Sequence, residues 1–133
     1  FGLECHDEHH NDLGAENELG WIAYSQGIYE IVQKFKNFGV PIFITENGIA
    51  TTDDDQRIDF IQEHLLQLAK AIQDGVDVRG YFHWTLLDNY EWADGPQAHF
   101  GLAAVDGCTG ELIPRPSSSI FAEICTQNRI KGV

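Results

Sequence analysis

The sequence is poor in basic residues, with eight Lys and Arg against 21 Asp and Glu, and its formal net charge is −13 over 133 residues. A surface this acidic repels the phosphates of nucleic acids and the headgroups of anionic membranes. The sequence also has no run that approaches the roughly 18 consecutive apolar residues of a membrane span. Neither a nucleic acid nor a membrane is therefore expected as a partner.

Cysteine is also scarce. The three cysteines, Cys5, Cys108 and Cys125, are widely spaced and odd in number, so the sequence predicts no disulfide framework. A reducing compartment is favoured, and we expect a cytoplasmic location. No basic segment followed by an apolar stretch opens the chain, so no signal peptide is predicted. The chain begins with Phe1 rather than Met, and we expect it to be part of a longer protein.

The sequence contains no internal repeat and no low-complexity linker. Its hydrophobic pattern instead alternates between helical and strand periods. Residues 1–20 are polar and read as a loop. The later patterns first predict a helix over 25–36, a strand over 40–45 and a helix that is capped within 51–55 and closed by Gly75. A strand over 76–84 and a long loop over 87–116 follow, and the loop contains a short hairpin around 100–105. The last predicted helix starts at Ser117 and buries Ile120, Phe121, Ile124 and Cys125.

The order helix, strand, helix, strand, helix predicts parallel strands joined by crossover helices, the α/β class. Two strands cannot bury both of their faces, so the pattern indicates a slice of a larger α/β fold. A (β/α)8 barrel has about 250 residues and carries its chemistry at the C-terminal ends of its strands. Both chemically rich positions, Glu46 and residues 84–92, follow predicted strands.

Glu46 is the first candidate catalytic residue. A carboxylate at the end of an apolar strand can be aimed into a barrel mouth, where it could attack an anomeric carbon and form a covalent glycosyl-enzyme. The alternative is a loop carboxylate that caps the region around Thr51.

The second candidate region is the segment from Trp84 to Trp92. An indole offers a flat surface to the apolar face of a sugar, and a carboxylate such as Glu91 accepts hydrogen bonds from two hydroxyls at once. The alternative is ordinary aromatic core packing, against which the interleaved Asp88 and Asn89 argue.

These motifs resemble glycoside hydrolase family 1, the β-glucosidase and β-glycosidase family, and are most similar to its archaeal and related bacterial branch. The resemblance covers nearly all of residues 20–130. The matching segments are Gly20-Trp21, Ile44 to Ala50, Asp77 to Trp84, Leu87 to Trp92, Phe100-Gly101-Leu102 and Val105-Asp106. Ser25 and His99 depart from the family pattern, where Pro and Arg are usual.

The resemblance implies a role for each of five residues. Glu46 would be the nucleophile, and Trp84 would be the platform under the sugar. Glu91 would accept hydrogen bonds from O4 and O6, Trp92 would donate its indole N–H to O3, and Phe100 would help to wall the site. The implied substrate is a small β-glycoside or oligosaccharide with a neutral sugar, because a carboxylate at Glu91 would repel a 6-phosphate. Glucosides, galactosides and fucosides all remain open.

One family motif is absent. The acid/base glutamate of the family lies in a Thr-x-Asn-Glu-Pro motif, which does not occur in this sequence. The resemblance therefore implies the C-terminal part of a (β/α)8 TIM barrel, about its last two βα units. Residues 1–133 are expected to form one segment of a single barrel domain, with 1–20 as a polar loop and 21–133 as units 7 and 8 with the preceding helix. Alone, the chain is expected to lack activity.

Two other functional classes stay open: a non-catalytic sugar-binding remnant, and a fragment that completes a barrel with another chain. In either case a lone chain is expected to self-associate. The segment from Glu4 to His10 is dense in residues that can bind metals, but it has no helical period and reads as a polar loop. No metal and no cofactor is predicted.

Overall fold

The computed structural model of the protein describes residues 16–130. The helices are α1 (Ser25–Phe35), α2 (Asp54–Gln73) and α3 (Pro116–Gln127), and the strands are β1 (Ile42–Asn47), β2 (Val78–His83), β3 (Ala103–Val105) and β4 (Leu112–Pro114). Single 3₁₀ turns cover Lys36–Phe38 and Trp92–Asp94. Strands β1 and β2 pair in parallel, and β3 and β4 pair antiparallel. Because α2 connects β1 to β2, the predicted βαβ arrangement is confirmed.

The helix boundaries follow from local chemistry. Helix α1 runs into a 3₁₀ turn that Gly39 ends with a left-handed φ of 65°. Helix α2 begins after Asp53, whose carboxylate accepts hydrogen bonds from the amides of Asp55 and Gln56. In the described part of the chain, no helix combines the length and apolar character needed to cross a membrane.

One face of the β1–β2 sheet is packed. This packed face, formed by Ile42, Ile44, Val78 and Tyr81, lies against a buried cluster from α1, α2 and the turn before β2. The members of that cluster are Ile28, Val32, Leu68, Ala71 and Val76. Burying these apolar side chains away from water stabilises the packing of α1 and α2 on the sheet.

The opposite face of the same sheet is open. This open face carries Phe43, Thr45 and Phe82, with Phe43 53% and Phe82 59% exposed. Gly80 pairs with Phe43, and a Cβ at Gly80 would lie 2.6 Å from the Phe43 ring. Large aromatic side chains on a sheet face that no other described residue covers indicate that this face packs against more protein.

Three sequence predictions need correction. Strand β1 begins and ends about two residues later than predicted, so it contains Glu46. The hairpin extends beyond residues 100–105, because its second strand is Leu112–Pro114. That strand was not predicted because it has only three residues and one of them is Pro. The predicted buried face of α3 is only partly buried, because Ile120, Phe121 and Ile124 are half-buried and Cys125 is exposed.

Candidate active site

Glu46 is the penultimate residue of β1, and it lies in a β-bulge. The register pairs Ile44 with Tyr81 and Asn47 with His83, which is three steps along β1 for two along β2. The extra residue interrupts the alternation of faces, so Thr45 and Glu46 are both exposed. Bulges often re-aim side chains beside active sites. Here the bulge turns the Glu46 carboxylate away from the helices.

The Glu46 carboxylate has no assigned structural task. Within residues 16–130 it takes part in no hydrogen bond or ion pair. The α2 N-terminus is capped by Asp53 instead, so the alternative of Glu46 as a cap for the Thr51 region is wrong. A free carboxylate at the C-terminal end of a parallel strand is the arrangement that covalent catalysis at a barrel mouth requires.

The ends of β1 and β2 are joined closely. The Trp84 amide donates a hydrogen bond to the Asn47 carbonyl at 2.9 Å, and the Tyr81 hydroxyl donates to the Asn47 side-chain oxygen at 2.9 Å. A Cβ at Gly48 would lie 1.6 Å from the Trp84 carbonyl oxygen, so only glycine fits there. The peptide between Trp84 and Thr85 is cis. Glu46 and Trp84 are thus held at adjoining strand ends.

The structure also brings Trp84 and Glu91 together. The Trp84 indole N–H donates a hydrogen bond to the Glu91 carboxylate at 3.3 Å. Glu91 and Gly95 exchange backbone hydrogen bonds of 2.8 and 3.1 Å, and Gly95 has φ 68° and ψ −150°, a conformation that side chains exclude. This tight loop holds the Trp92 indole out in solvent, 85% exposed and with φ at 38°.

Phe100 lies close to Trp84. Its side chain is only 5% exposed and belongs to a buried cluster with Ala50 and Ala98, against which Trp84 packs. Its predicted role as a wall of the sugar site stays a prediction.

Asp88 anchors the loop that follows β2. The Arg115 guanidinium donates to both Asp88 carboxylate oxygens, at 3.0 and 2.7 Å, and the Gly101 amide donates to one of them at 2.7 Å. Burial acts to raise the pKa of Asp88, but these hydrogen bonds outweigh it and the pKa is lowered. The loop between Trp84 and Gly101 is thereby fixed at its middle and at its end.

Sequence reasoning missed this anchoring system. Asp88 was noticed only as a polar residue in an aromatic segment, and neither Arg115 nor the fully buried Arg57 was singled out. The one signal in the sequence was the position of Arg57, a charged residue directly before Ile58, which belongs to the apolar face of α2. Partners distant in the chain, such as the carbonyls that Arg57 contacts, leave no local pattern.

A cavity of about 270 Å³ lies on the other side of the β1 end. It is lined by the N-terminal loop, β1 and α2, with Trp21, Tyr24, Gly48, Phe60 and His64 among its lining residues. Neither Glu46 nor Trp84 lines it. Among residues 16–130 no three His, Cys, Asp or Glu side chains cluster as metal ligands. The metal-capable segment from Glu4 to His10 lies outside the described residues.

An exposed glutamate at a parallel strand end, beside an indole and a second carboxylate, is an arrangement typical of carbohydrate-active sites in α/β barrels. Comparison with known proteins specifies the family. The model of "Glycosyl hydrolase family 1" matches residues 3–130. The chain therefore belongs to glycosyl hydrolase family 1, as the sequence motifs predicted.

The curated relatives include both neutral-sugar and phosphosugar enzymes. A β-galactosidase of Sulfolobus acidocaldarius is 43% identical over 98% of this chain and 27% of its own length. A 6-phospho-β-galactosidase of Staphylococcus epidermidis is 38% identical over 84% of this chain and 26% of its own length. The chain thus spans about a quarter of the length of the curated relatives it matches.

Solved structures share the fold. A β-glycosidase from Pyrococcus horikoshii matches with a TM-score of 0.87 and 47% identity, over 90% of this chain and 28% of that protein. A β-glucosidase from Thermotoga maritima in complex with cyclophellitol matches with a TM-score of 0.86 and 37% identity, over 90% of this chain and 30% of that protein. The predicted fold class, part of a (β/α)8 barrel, is confirmed.

Proposed function

We propose that Glu46 is the nucleophile of a retaining β-glycosidase formed by the complete protein that contains this chain. The supporting observation is that the bulge in β1 leaves the Glu46 carboxylate exposed, and without a partner among residues 16–130, beside the Trp84–Trp92 segment. Its oxygen attacks the anomeric carbon, the leaving group departs through an oxocarbenium-like transition state, and water cleaves the glycosyl-enzyme.

Three residues are proposed to hold the sugar. Trp84 stacks against its apolar face, Glu91 accepts hydrogen bonds from O4 and O6, and Trp92 donates its indole N–H to O3. The hydrogen bond from the Trp84 indole to Glu91 supports this arrangement, because it orients the carboxylate toward the platform. Phe100, in the buried cluster against which Trp84 packs, is proposed to help to wall the site.

A neutral sugar is proposed over a 6-phosphosugar. The Glu91 carboxylate would repel a phosphate at O6, and the net charge of −13 adds to that repulsion. The relatedness to a 6-phospho-β-galactosidase makes this a real alternative. Hydrolysis rates of aryl β-glucoside, β-galactoside, β-fucoside and β-galactoside 6-phosphate by the complete protein separate the two, and preference for the phosphorylated substrate contradicts the proposal.

The acid/base residue is proposed to lie outside this chain. Retaining hydrolysis needs a second carboxyl group about 5–5.5 Å from the nucleophile to protonate the leaving group. The family motif that carries this group does not occur in the 133 residues. The isolated chain should therefore leave aryl β-glucosides uncleaved while the complete protein cleaves them. Turnover by the isolated chain that depends on Glu46 would refute this part of the proposal.

The open face is proposed to pack against the remaining strands of the barrel. Its two exposed phenylalanines, Phe43 and Phe82, lie where a closed barrel has an interior. If the chain exists alone, the same face drives self-association, and the function becomes barrel completion or sugar retention without catalysis. Sedimentation of the isolated chain, with and without Phe43→Ser, tests whether the open face drives self-association. That substitution should reduce self-association only if the contact between chains is made through the open face.

A further inference from the structure

Arg57 is buried to an extent that is unusual for a charged side chain. It lies in the first turns of α2 and is 0% exposed. Burial of a guanidinium is costly unless its donors are paired, and an apolar side chain of similar size often stabilises such a position equally well. A buried arginine at this position therefore suggests a role that a hydrophobic residue could not fill.

One nitrogen of Arg57 holds two separate segments of main chain. It donates to the Thr51 carbonyl, four residues after Asn47, and to the His99 carbonyl at 2.7 Å. The Thr51 amide also donates to the His99 carbonyl at 3.0 Å. The segment that leaves β1 and the end of the loop that leaves β2 are therefore fastened together at a single point.

Each fastened segment leads directly to the proposed sugar site. Ala50 precedes Thr51 and packs against Phe100, which follows His99, and Trp84 packs against both. The Phe100 carbonyl accepts a hydrogen bond from the Thr85 amide at 3.1 Å. A shift of either carbonyl on Arg57 is thus transmitted to the Trp84 platform through packed and hydrogen-bonded neighbours.

The other terminal nitrogen of Arg57 fixes the orientation of the guanidinium. It donates to the Asp54 carboxylate, which also accepts from the Ser117 amide at 2.7 Å and the Ser117 hydroxyl at 2.8 Å. Asp54 is therefore held by the N-terminus of α3 while it neutralises Arg57. With one end held in this way, the guanidinium plane has little freedom to follow a displaced carbonyl.

We propose that Arg57 is a positioning residue, which sets the Glu46 end of β1 at a fixed distance from the Trp84–Glu91 sugar subsite by bridging the Thr51 and His99 carbonyls. The inference rests on the proposed function of Glu46 and Glu91. Lysine at this position keeps the charge but has a single nitrogen, so it cannot hold the two carbonyls with one nitrogen and Asp54 with another.

The test compares two substrates in the complete protein. β-Galactosides and β-fucosides differ only in the presence of O6, so the ratio of their kcat/KM values measures the contact that Glu91 makes with O6. Arg57→Lys is expected to lower kcat for the galactoside about 10- to 100-fold and to reduce the ratio about 3-fold or more, at a temperature where the variant is fully folded. Loss of stability alone lowers both activities equally and leaves the ratio unchanged.

Two further variants complete the design. Arg79→Lys, in an exposed pair with Asp77, is the matched control and should leave both values unchanged. If Arg57→Lys does not fold, Asp54→Asn replaces it, because it loosens the same guanidinium and should change the ratio in the same direction. A folded variant with wild-type kcat and ratio overturns the inference. If Glu46→Gln retains activity, the proposed function itself fails, and the two failures are thereby distinguished.

Discussion

The two strand ends of the β1–β2 sheet carry acidic residues in opposite circumstances. Asp88, beyond β2, has a side chain only 14% exposed and accepts hydrogen bonds from Arg115 and from the Gly101 amide. Glu46, at the end of β1, is exposed and pairs with nothing among the described residues. A paired carboxylate stabilises structure, whereas an unpaired one is available for reaction. The difference fits an anchoring role for Asp88 and the chemical role that we propose for Glu46.

Replacing the reactive carboxylate should produce the largest effect. We expect Glu46→Gln to lower kcat of the complete protein by at least about 10³-fold, because the amide cannot form the glycosyl-enzyme. The free energy of unfolding should not fall, since Glu46 makes no hydrogen bond among residues 16–130. Steady-state kinetics and urea unfolding measure the two quantities.

Glu63→Gln is the matched control for that change. Glu63 is exposed on α2, and its replacement removes the same charge without touching the strand end, so both quantities should stay at wild-type values. If Glu46→Gln instead destabilised the protein and left kcat intact, the contrast between the strand ends would be reversed.

Breaking the anchor should have the next largest effect, and on stability first. Arg115→Met leaves the largely buried Asp88 carboxylate without its main partner, at an expected cost of about 2–4 kcal/mol in the free energy of unfolding. Denaturant unfolding of the complete protein measures it. Arg79→Met breaks a pair of the same geometry whose side chains are 60% and 50% exposed, and it should cause no measurable change. Equal costs for the two variants would contradict the anchoring role.

A smaller effect, on the pH dependence of the free energy of unfolding, should come from His83, which lies opposite Asn47 at the end of β2. Burial, reinforced by the charge of Arg57, lowers the pKa of His83 to about 4. Below the unfolded pKa of about 6.5 the unfolded chain takes up a proton that the folded chain refuses, so stability falls as the pH drops from about 6.5 to 4.

His83→Phe should remove about 1–3 kcal/mol of that fall while leaving the Phe121 contact in place. Unfolding midpoints at a series of pH values between 4 and 7 provide the measurement. Part of the slope should persist, because burial also lowers the pKa of His64. An unchanged slope in the variant would show that His83 is not buried as a neutral ring.

The sequence identified the reactive strand end better than the anchored one. Glu46 lies in one motif, and Trp84, Glu91 and Trp92 lie in another. Because each motif follows a predicted parallel strand, the sequence predicted that the two motifs lie side by side. The β-bulge that exposes Glu46 could not be predicted, since it depends on the register between β1 and β2.

The anchors were missed because their partners are far apart in the chain. Arg57 lies 42 residues from His99, and Arg115 lies 27 from Asp88, so neither contact leaves a periodic pattern. The role of Phe100 stays a prediction, because an aromatic residue beside a site can face a ligand or support the residues that do, and the sequence does not distinguish the two.

The most direct test is covalent trapping on the complete protein. A 2-deoxy-2-fluoro-β-glucoside with a dinitrophenolate leaving group should react in the first step and stall before the second, because fluorine disfavours both oxocarbenium-like transition states and the leaving group compensates only in the first. Mass spectrometry of the digested protein should place the sugar on Glu46. A sugar found on Glu91 or on another carboxylate would contradict the assignment of chemistry to the end of β1.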